Sequence, residues 1–352
     1  MKRIITSFVM FTFLVLSLSG CKSDDYKKAL EYESAGNYES ALEIYTELGD
    51  YEDSADRRVA CQTEIDNNSS YAEGITLMDK MEYKSALELF EALGDYKDSV
   101  EKCAECEKAS EIMDSYKSSK DVLDKKNAEL TSIISECDLL VADHAVALDE
   151  TTLPSLETAI SEAKSKIVNF PDLPDNIESA CSYITDMDSV SYDDVMADVQ
   201  AKRQAYEKSV KQYQLVLAPS EAYVISCLKS VPNVVDISAV TEDNDPNGNL
   251  NKSGGYTAQV YFSSDLVDQS LVLGNSVIEK GTDCGGSIEV YNSPDEALKR
   301  EEYLASFDGG IFASGSHTVI GSVLIRTSNN LTASQQKEME QNIISALTFI
   351  DE

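Results

Sequence analysis

Positive charge is scarce in this chain. Its 352 residues carry 29 Lys and Arg against 63 Asp and Glu, a formal net charge of −34. Nucleic acid and anionic lipid headgroups are both recognised through clusters of Lys and Arg, so this balance disfavours them as partners. Phosphate-cradling glycine patterns are missing as well, and without a Walker or Rossmann signature those modes of nucleotide binding drop out. Histidine occurs only as His144 and His317. The one long apolar run, Ile4 to Leu18, is too short and wrongly flanked for a lasting membrane span. What the chain does have is 42% hydrophobic residues, enough to keep it from being disordered, and a length that suits two or three modules. The acid is therefore a solvated coat over folded cores.

The apolar run follows a basic start, Lys2 and Arg3, and ends in Leu18-Ser19-Gly20-Cys21. Basic start, apolar centre and small residues before a cut make a secretory signal over residues 1–20. Its ending resembles the lipobox of bacterial lipoproteins. That resemblance implies cleavage before Cys21, a diacylglycerol thioether on its sulfur with palmitate-type acyl chains, and a place on the extracytoplasmic face of the cell membrane. Two acyl chains give stable anchoring where one is marginal. The mature chain then holds 27 basic and 63 acidic residues, a net −36.

Eight cysteines in an exported chain raise the question of a disulfide framework. With Cys21 lipidated an odd number is left, and most of these fall at apolar positions of expected helices. Cys103 and Cys106 form a C-x-x-C inside a helix with no second pair nearby, which fits buried small hydrophobes better than zinc or redox chemistry.

Slid over itself by 45 residues, the chain repeats. Tyr38-Glu39-Ser40-Ala41-Leu42-Glu43 returns as Tyr83-Lys84-Ser85-Ala86-Leu87-Glu88, Leu48-Gly49-Asp50-Tyr51 as Leu93-Gly94-Asp95-Tyr96, and Cys61 as Cys106. Each copy reads as helix, turn, helix, then a Gly-Asp-Tyr break before a third short helix, so residues 21–106 form two copies of one unit. The Tyr-x-x-Ala-Leu-x-x-(Tyr or Phe) pattern resembles the second helix of a tetratricopeptide repeat, in which alanine admits a neighbouring helix. The resemblance implies a concave surface for a protein or peptide partner; the alternative is a spacer or cap.

Residues 107–218 change to heptads. Ile112, Tyr116, Ser119, Leu123, Lys126, Leu130, Ile133, Cys137, Leu140 and His144 alternate steps of four and three, the seam of a coiled coil. Val195, Val199, Lys202, Tyr206, Ser209 and Tyr213 do the same. Pro171 and Pro174 interrupt what lies between. The pattern predicts a coiled-coil stalk or helical bundle with a helix over 107–142 about 54 Å long. His144 reads as a core or end residue.

Residues 219–352 switch to mixed helix and strand. Ser220 opens a helix through Leu228, and Ser293 and Thr332 cap two more. Strands are expected at Val234–Val240, Thr257–Phe262, Ile288–Tyr291 and, apolar on both faces and so central, Thr318–Arg326. The sum is an α+β domain with helices on one face of a small sheet. The stretches Gly281-Thr282-Asp283-Cys284-Gly285-Gly286-Ser287 and Ser314-Gly315-Ser316-His317-Thr318 resemble a C-terminal domain of Gram-positive lipoproteins and surface proteins that has no established activity.

Two pieces of candidate chemistry lie in this domain. Asp283-Cys284-Gly285-Gly286 resembles the nucleophile loop of chymotrypsin-like cysteine proteases, and a thiolate there would need His317 as base. Against it, His317 follows the cysteine where that family's His precedes it, and Asp283 raises the thiol's pKa. Asp243, Asp245, Asn247 and Asn249 alternate oxygen side chains around Gly248, the first half of an EF-hand calcium loop. Gly254 stands at the twelfth position in place of Glu, so calcium would need a carboxylate from elsewhere, and the alternative is a polar turn. Arg326, inside an apolar strand, is expected to pair with an acid of the same sheet, or with a carboxylate-bearing ligand. The chain thus reads as a membrane-anchored surface lipoprotein acting as an interaction scaffold. A ligand-binding lipoprotein of a transporter or sensor is the alternative, and a cysteine-dependent hydrolase the third reading.

Overall fold

A computed structural model describes residues 22–309 and 315–351. The segment 1–20 expected to be a signal, Cys21 and Ser314 lie outside the described residues. The chain is mostly helical, with one small antiparallel sheet. It divides into two compact units: residues up to Leu123 with Phe170–Val190, and Asp124–Asn169 with Ser191 onward.

The first unit holds α1 (Lys22–Ser34), α2 (Tyr38–Leu48), α3 (Ser54–Asp79), α4 (Tyr83–Leu93) and the first part of α5 (Ser99–Ala142). The side chain of Asn37 caps α2 by accepting from the Ser40 N–H, and Gly49, at φ 65°, closes it. Positions 45 apart have matching surroundings. Ala41 and Ala86 are fully buried, Tyr45 and Phe90 are buried beside them, and Cys61 and Cys106 fill the small apolar slot. The hydroxyl of Tyr26 donates to Asp53, and that of Tyr71 to Asp98 at 2.5 Å. Gly74 stands where Ala29 does in the first copy; a Cβ there would come within 2.6 Å of the Phe90 ring.

The expected third short helix of each copy is not separate. It continues into the next element, giving the long α3 and α5. No proline interrupts 54–79, and the one glycine, Gly74, is tolerated inside a helix.

The next matching segment is α7 (Ile177–Ser189), which follows α6 (Thr152–Lys166). Glu178-Ser179-Ala180 and Thr185-Asp186-Met187 of α7 match Glu39-Ser40-Ala41 and Thr46-Glu47-Leu48 of α2. Asn176 caps Ser179 N at 2.8 Å just as Asn37 caps Ser40 N at 3.1 Å. Ala180 is fully buried against Tyr116, itself 45 residues beyond Tyr71.

In the second unit the rest of α5, α6 and α8 (Asp193–Leu215) make a helical bundle, while Glu107–Leu123 and α7, which belong to the 107–218 region expected to form the stalk or bundle, fall in the first unit. Leu130, Ile134, Cys137, Leu156, Ile160, Val199 and Tyr206 are buried. Ion pairs border it, Arg203 with Glu136 at 2.7 Å and Lys164 with Asp138 at 2.8 Å. His144 ends α5 in a left-handed conformation, φ 47°, and is exposed.

The sheet follows, in chain order α9 (Glu221–Leu228), β1 (Val234–Ala239), β2 (Ala258–Ser264), α10 (Val277–Lys280), β3 (Gly285–Val290), α11 (Pro294–Ala305), β4 (His317–Ile320), β5 (Val323–Thr327) and α12 (Ala333–Leu347). The strands lie in the order β1-β2-β3-β5-β4, all antiparallel. The single strand expected over Thr318–Arg326 is a hairpin. Gly321, at φ 56°, turns the chain at a point where a Cβ would strike the Val216 carbonyl at 2.5 Å, and of the two strands β4 is an edge and β5 interior.

Helices cover both faces, not one. α9 and α12 bury Val224, Leu228, Met339 and Ile343 against Val260, Phe262, Ile288 and Ile325. On the other face α11 packs Ala297 and Leu304 on Leu324. That face is largely polar, and α11 is held on it by the Arg300–Glu289 ion pair at 3.3 Å as well as by Ala297 and Leu304.

Candidate functional site

Strand alternation sends one set of side chains to the α9–α12 core and the other set to the α11 face. Register aligns the second set in two rows across the sheet. Gln259 faces Glu289, which faces Leu324, and Tyr261 faces Ser287, which faces Arg326, which faces His317. These polar residues are enclosed: Gln259, Ser287 and Glu289 have no exposed surface.

Glu289 is the centre. Its Oε1 accepts from Arg326 Nη1 at 3.1 Å, and its Oε2 from Tyr291 at 2.6 Å and Arg300 Nε at 3.3 Å. A buried charge is tolerated only with such partners. Arg326 thus pairs with an acid of its own sheet, one of the two expectations for it. Burial pushes the Tyr291 and Tyr261 hydroxyls above their ordinary range, with the Glu289 charge adding to it. Burial alone would lower Arg300, but Glu289 outweighs that and holds it above its usual value.

The loop carrying the calcium motif closes this face. Asp245 accepts from the backbone N–H of Asn247, Asn249 and Leu250 at 2.9, 2.6 and 2.8 Å, and from the Tyr256 hydroxyl at 2.5 Å. Burial pushes its carboxyl up, but the hydrogen bonds from Tyr256 and the three amides win, leaving it below the ordinary carboxylate range. Asn247 points its amide to Tyr256, Gln259 and Tyr261 at 3.4–3.5 Å. Asp243, Asn247 and Asn249 are all exposed, and it is the amide contacts of Asn247 that tie it to the polar face. The structure therefore brings Asp245 and Asn247 to the polar face and leaves Asp243 and Asn249 outside it. A cation taking Asp245 as ligand competes with four donors.

Cys284 and His317 are not joined. Cys284 has no exposed surface, and its thiol lies 3.1 Å from the Gly281 carbonyl and 3.4 Å from that of Phe262. Burial pushes the thiol up to about 11. His317 stands at the sheet edge with Nδ1 3.0 Å from Glu301 and Nε2 3.3 Å from Asp308. A thiol held protonated against carbonyl oxygens is the reverse of an activated nucleophile.

Sequence reading missed Glu289, Arg300, Gln259 and the three tyrosines. Their signal was a polar residue at every second position of β2 and β3, easily passed over in strands that short. All seven cysteines among the described residues are thiols. No described helix is long and apolar enough to cross a membrane. Comparison of the chain with protein-family models, with curated proteins and with solved structures finds no match.

Proposed function

We propose that this protein is a surface lipoprotein, anchored through Cys21 on the extracytoplasmic face, whose helical first unit is a tetratricopeptide-like scaffold for a protein or peptide partner. The observation carrying this reading is the threefold recurrence of one helix. α2, α4 and α7 each place a fully buried alanine at the same position, Ala41, Ala86 and Ala180. A side chain that small lets two helix backbones approach, and stacked close pairs leave grooves on the surface. One such cleft of about 370 Å³ is lined by Leu42, Thr46, Arg58, Val59, Gln62 and Thr63, with Val59 62% exposed at its rim. On this reading the polar network of the sheet is a structural clasp that pins a loop and α11 in place.

The test is capture with the mature ectodomain, in parallel with Val59→Asp and with Leu298→Asp, which changes an exposed residue of α11. A partner retained by wild type and Leu298→Asp and lost from Val59→Asp supports the reading. Identical recovery by all three chains contradicts it.

A further inference from the structure

The segment between β2 and α10 turns two leucines outward. Leu271 is 80% exposed and Leu273 is 91% exposed. The loop beneath them is firmly built. Val267 is buried, and Gln269 Nε2 donates to the carbonyls of Ser264 at 3.0 Å and Cys284 at 2.7 Å. Lys280 Nζ holds the Gln269 carbonyl at 3.2 Å, and Asp268 accepts from Ser270 N and Oγ at 3.0 and 2.6 Å. Gly274, at φ 123°, has no room for a Cβ, since Lys280 N would lie 2.8 Å away. Two leucines are thus held in water on a preorganised support, and docking them orders little that is not already ordered.

Charge decides what they meet. Between residues 265 and 283 the exposed charged side chains are Asp265, Asp268, Glu279 and Asp283, and the one cation, Lys280, is engaged by Gln269. This acidic base opposes an anionic bilayer, and the net charge of −34 opposes a second copy of the chain. We infer that the Leu271-Val272-Leu273 tip is a docking knob for a partner protein whose apolar pocket is rimmed by Lys or Arg. The leucines supply the buried area, and the surrounding acids supply orientation and a salt-dependent encounter. The knob belongs to the second unit and goes beyond the scaffold reading; it stands whether or not the helical grooves bind anything.

Photo-crosslinking in the producing cell tests it. The full chain carries p-benzoylphenylalanine in place of Leu273 or, as control, of Leu298. The expected result is one protein adduct from position 273, absent from 298, whose cross-linked peptide maps to apolar residues flanked by Lys or Arg. Binding of that purified partner weakens about a hundredfold in Leu271→Ser/Leu273→Ser and also weakens in high salt. Far-UV circular dichroism and the melting curve of the double variant match wild type, because both side chains are exposed. An adduct to lipid, to the chain itself or to a pocket without basic residues overturns the proposal, as does no adduct at 273 or the same adduct from 298.

Discussion

Arg326 on β5 and Glu289 on β3 form a diagonal pair across neighbouring strands, guanidinium to carboxylate at 3.1 Å, in the interior of the α11 face. The Glu289 side chain has no solvent exposure and also holds Arg300. Neutralising it takes this carboxylate away from both guanidiniums at once. Glu289→Gln is expected to destabilise the second unit by about 3–5 kcal/mol. Glu289→Leu combined with Arg326→Met recovers part of the loss. With no tryptophan and 18 tyrosines in the chain, urea unfolding followed by tyrosine fluorescence and circular dichroism measures it. A loss under about 1 kcal/mol, typical of an exposed pair, would contradict the clasp.

Asp245 gives a pH prediction. Its carboxyl titrates lower in the folded chain than in the unfolded one. The unfolded chain therefore takes up the proton first as pH falls. The stability Asp245 contributes is complete above its unfolded pKa of about 3.9 and is lost as pH drops through its lower folded value. Asp245→Asn should reduce the slope of stability against pH in that acidic range. Because the carboxylate is already engaged by four donors, the variant's drop in Tm should be equal in chelator and in millimolar calcium. A drop seen only with calcium present would make the loop an ion site.

The buried alanines predict helix packing. Leucine at Ala86 or Ala180 should each cost about 1–3 kcal/mol by overpacking. Ala72→Leu, at an exposed position of α3, should be near neutral. Equal melting of all three variants would show that the matched positions are not helix crossings.

Thiol accessibility separates the cysteines. Cys181 is exposed, whereas Cys284 is buried with its thiol pushed up to about 11. A maleimide applied to the native chain should label Cys181 and leave Cys284 untouched until the second unit unfolds. Rapid native labelling of Cys284 would reopen the nucleophile reading.

How far the sequence could be read follows from the range of each signal. Half of the heptad seam of α5 was legible because its apolar positions are local: Tyr116, Leu123, Leu130 and Cys137 are buried, whereas Ile133 and Leu140 are half-buried with Ile134 in the interior, and His144 is exposed. The first two copies were legible because they sit at one constant offset. The matching segment in α7 was hidden by the chain inserted between Leu123 and Phe170, which separates Tyr116 from Ala180 and removes the constant offset. The β4–β5 hairpin was hidden inside one apolar run, where only Gly321 marked a turn. The clasp depends on register between strands and on Arg300 of a helix, and long-range pairing of that kind has no local pattern. What the spacing of the calcium motif could not show is where its side chains turn: Asp245 accepts from its own loop's amides and from Tyr256.

The central claim is lipid anchoring of an interaction protein, and one measurement addresses it most directly. Producing cells are fed labelled palmitate, separated into membrane and soluble fractions, and compared for the wild-type chain and Cys21→Ala. The account predicts a mature, labelled wild-type protein in the membrane fraction. The Cys21→Ala protein should be unlabelled and either released or retained at precursor size. A Cys21→Ala protein of mature size that stays with the membrane would contradict the account.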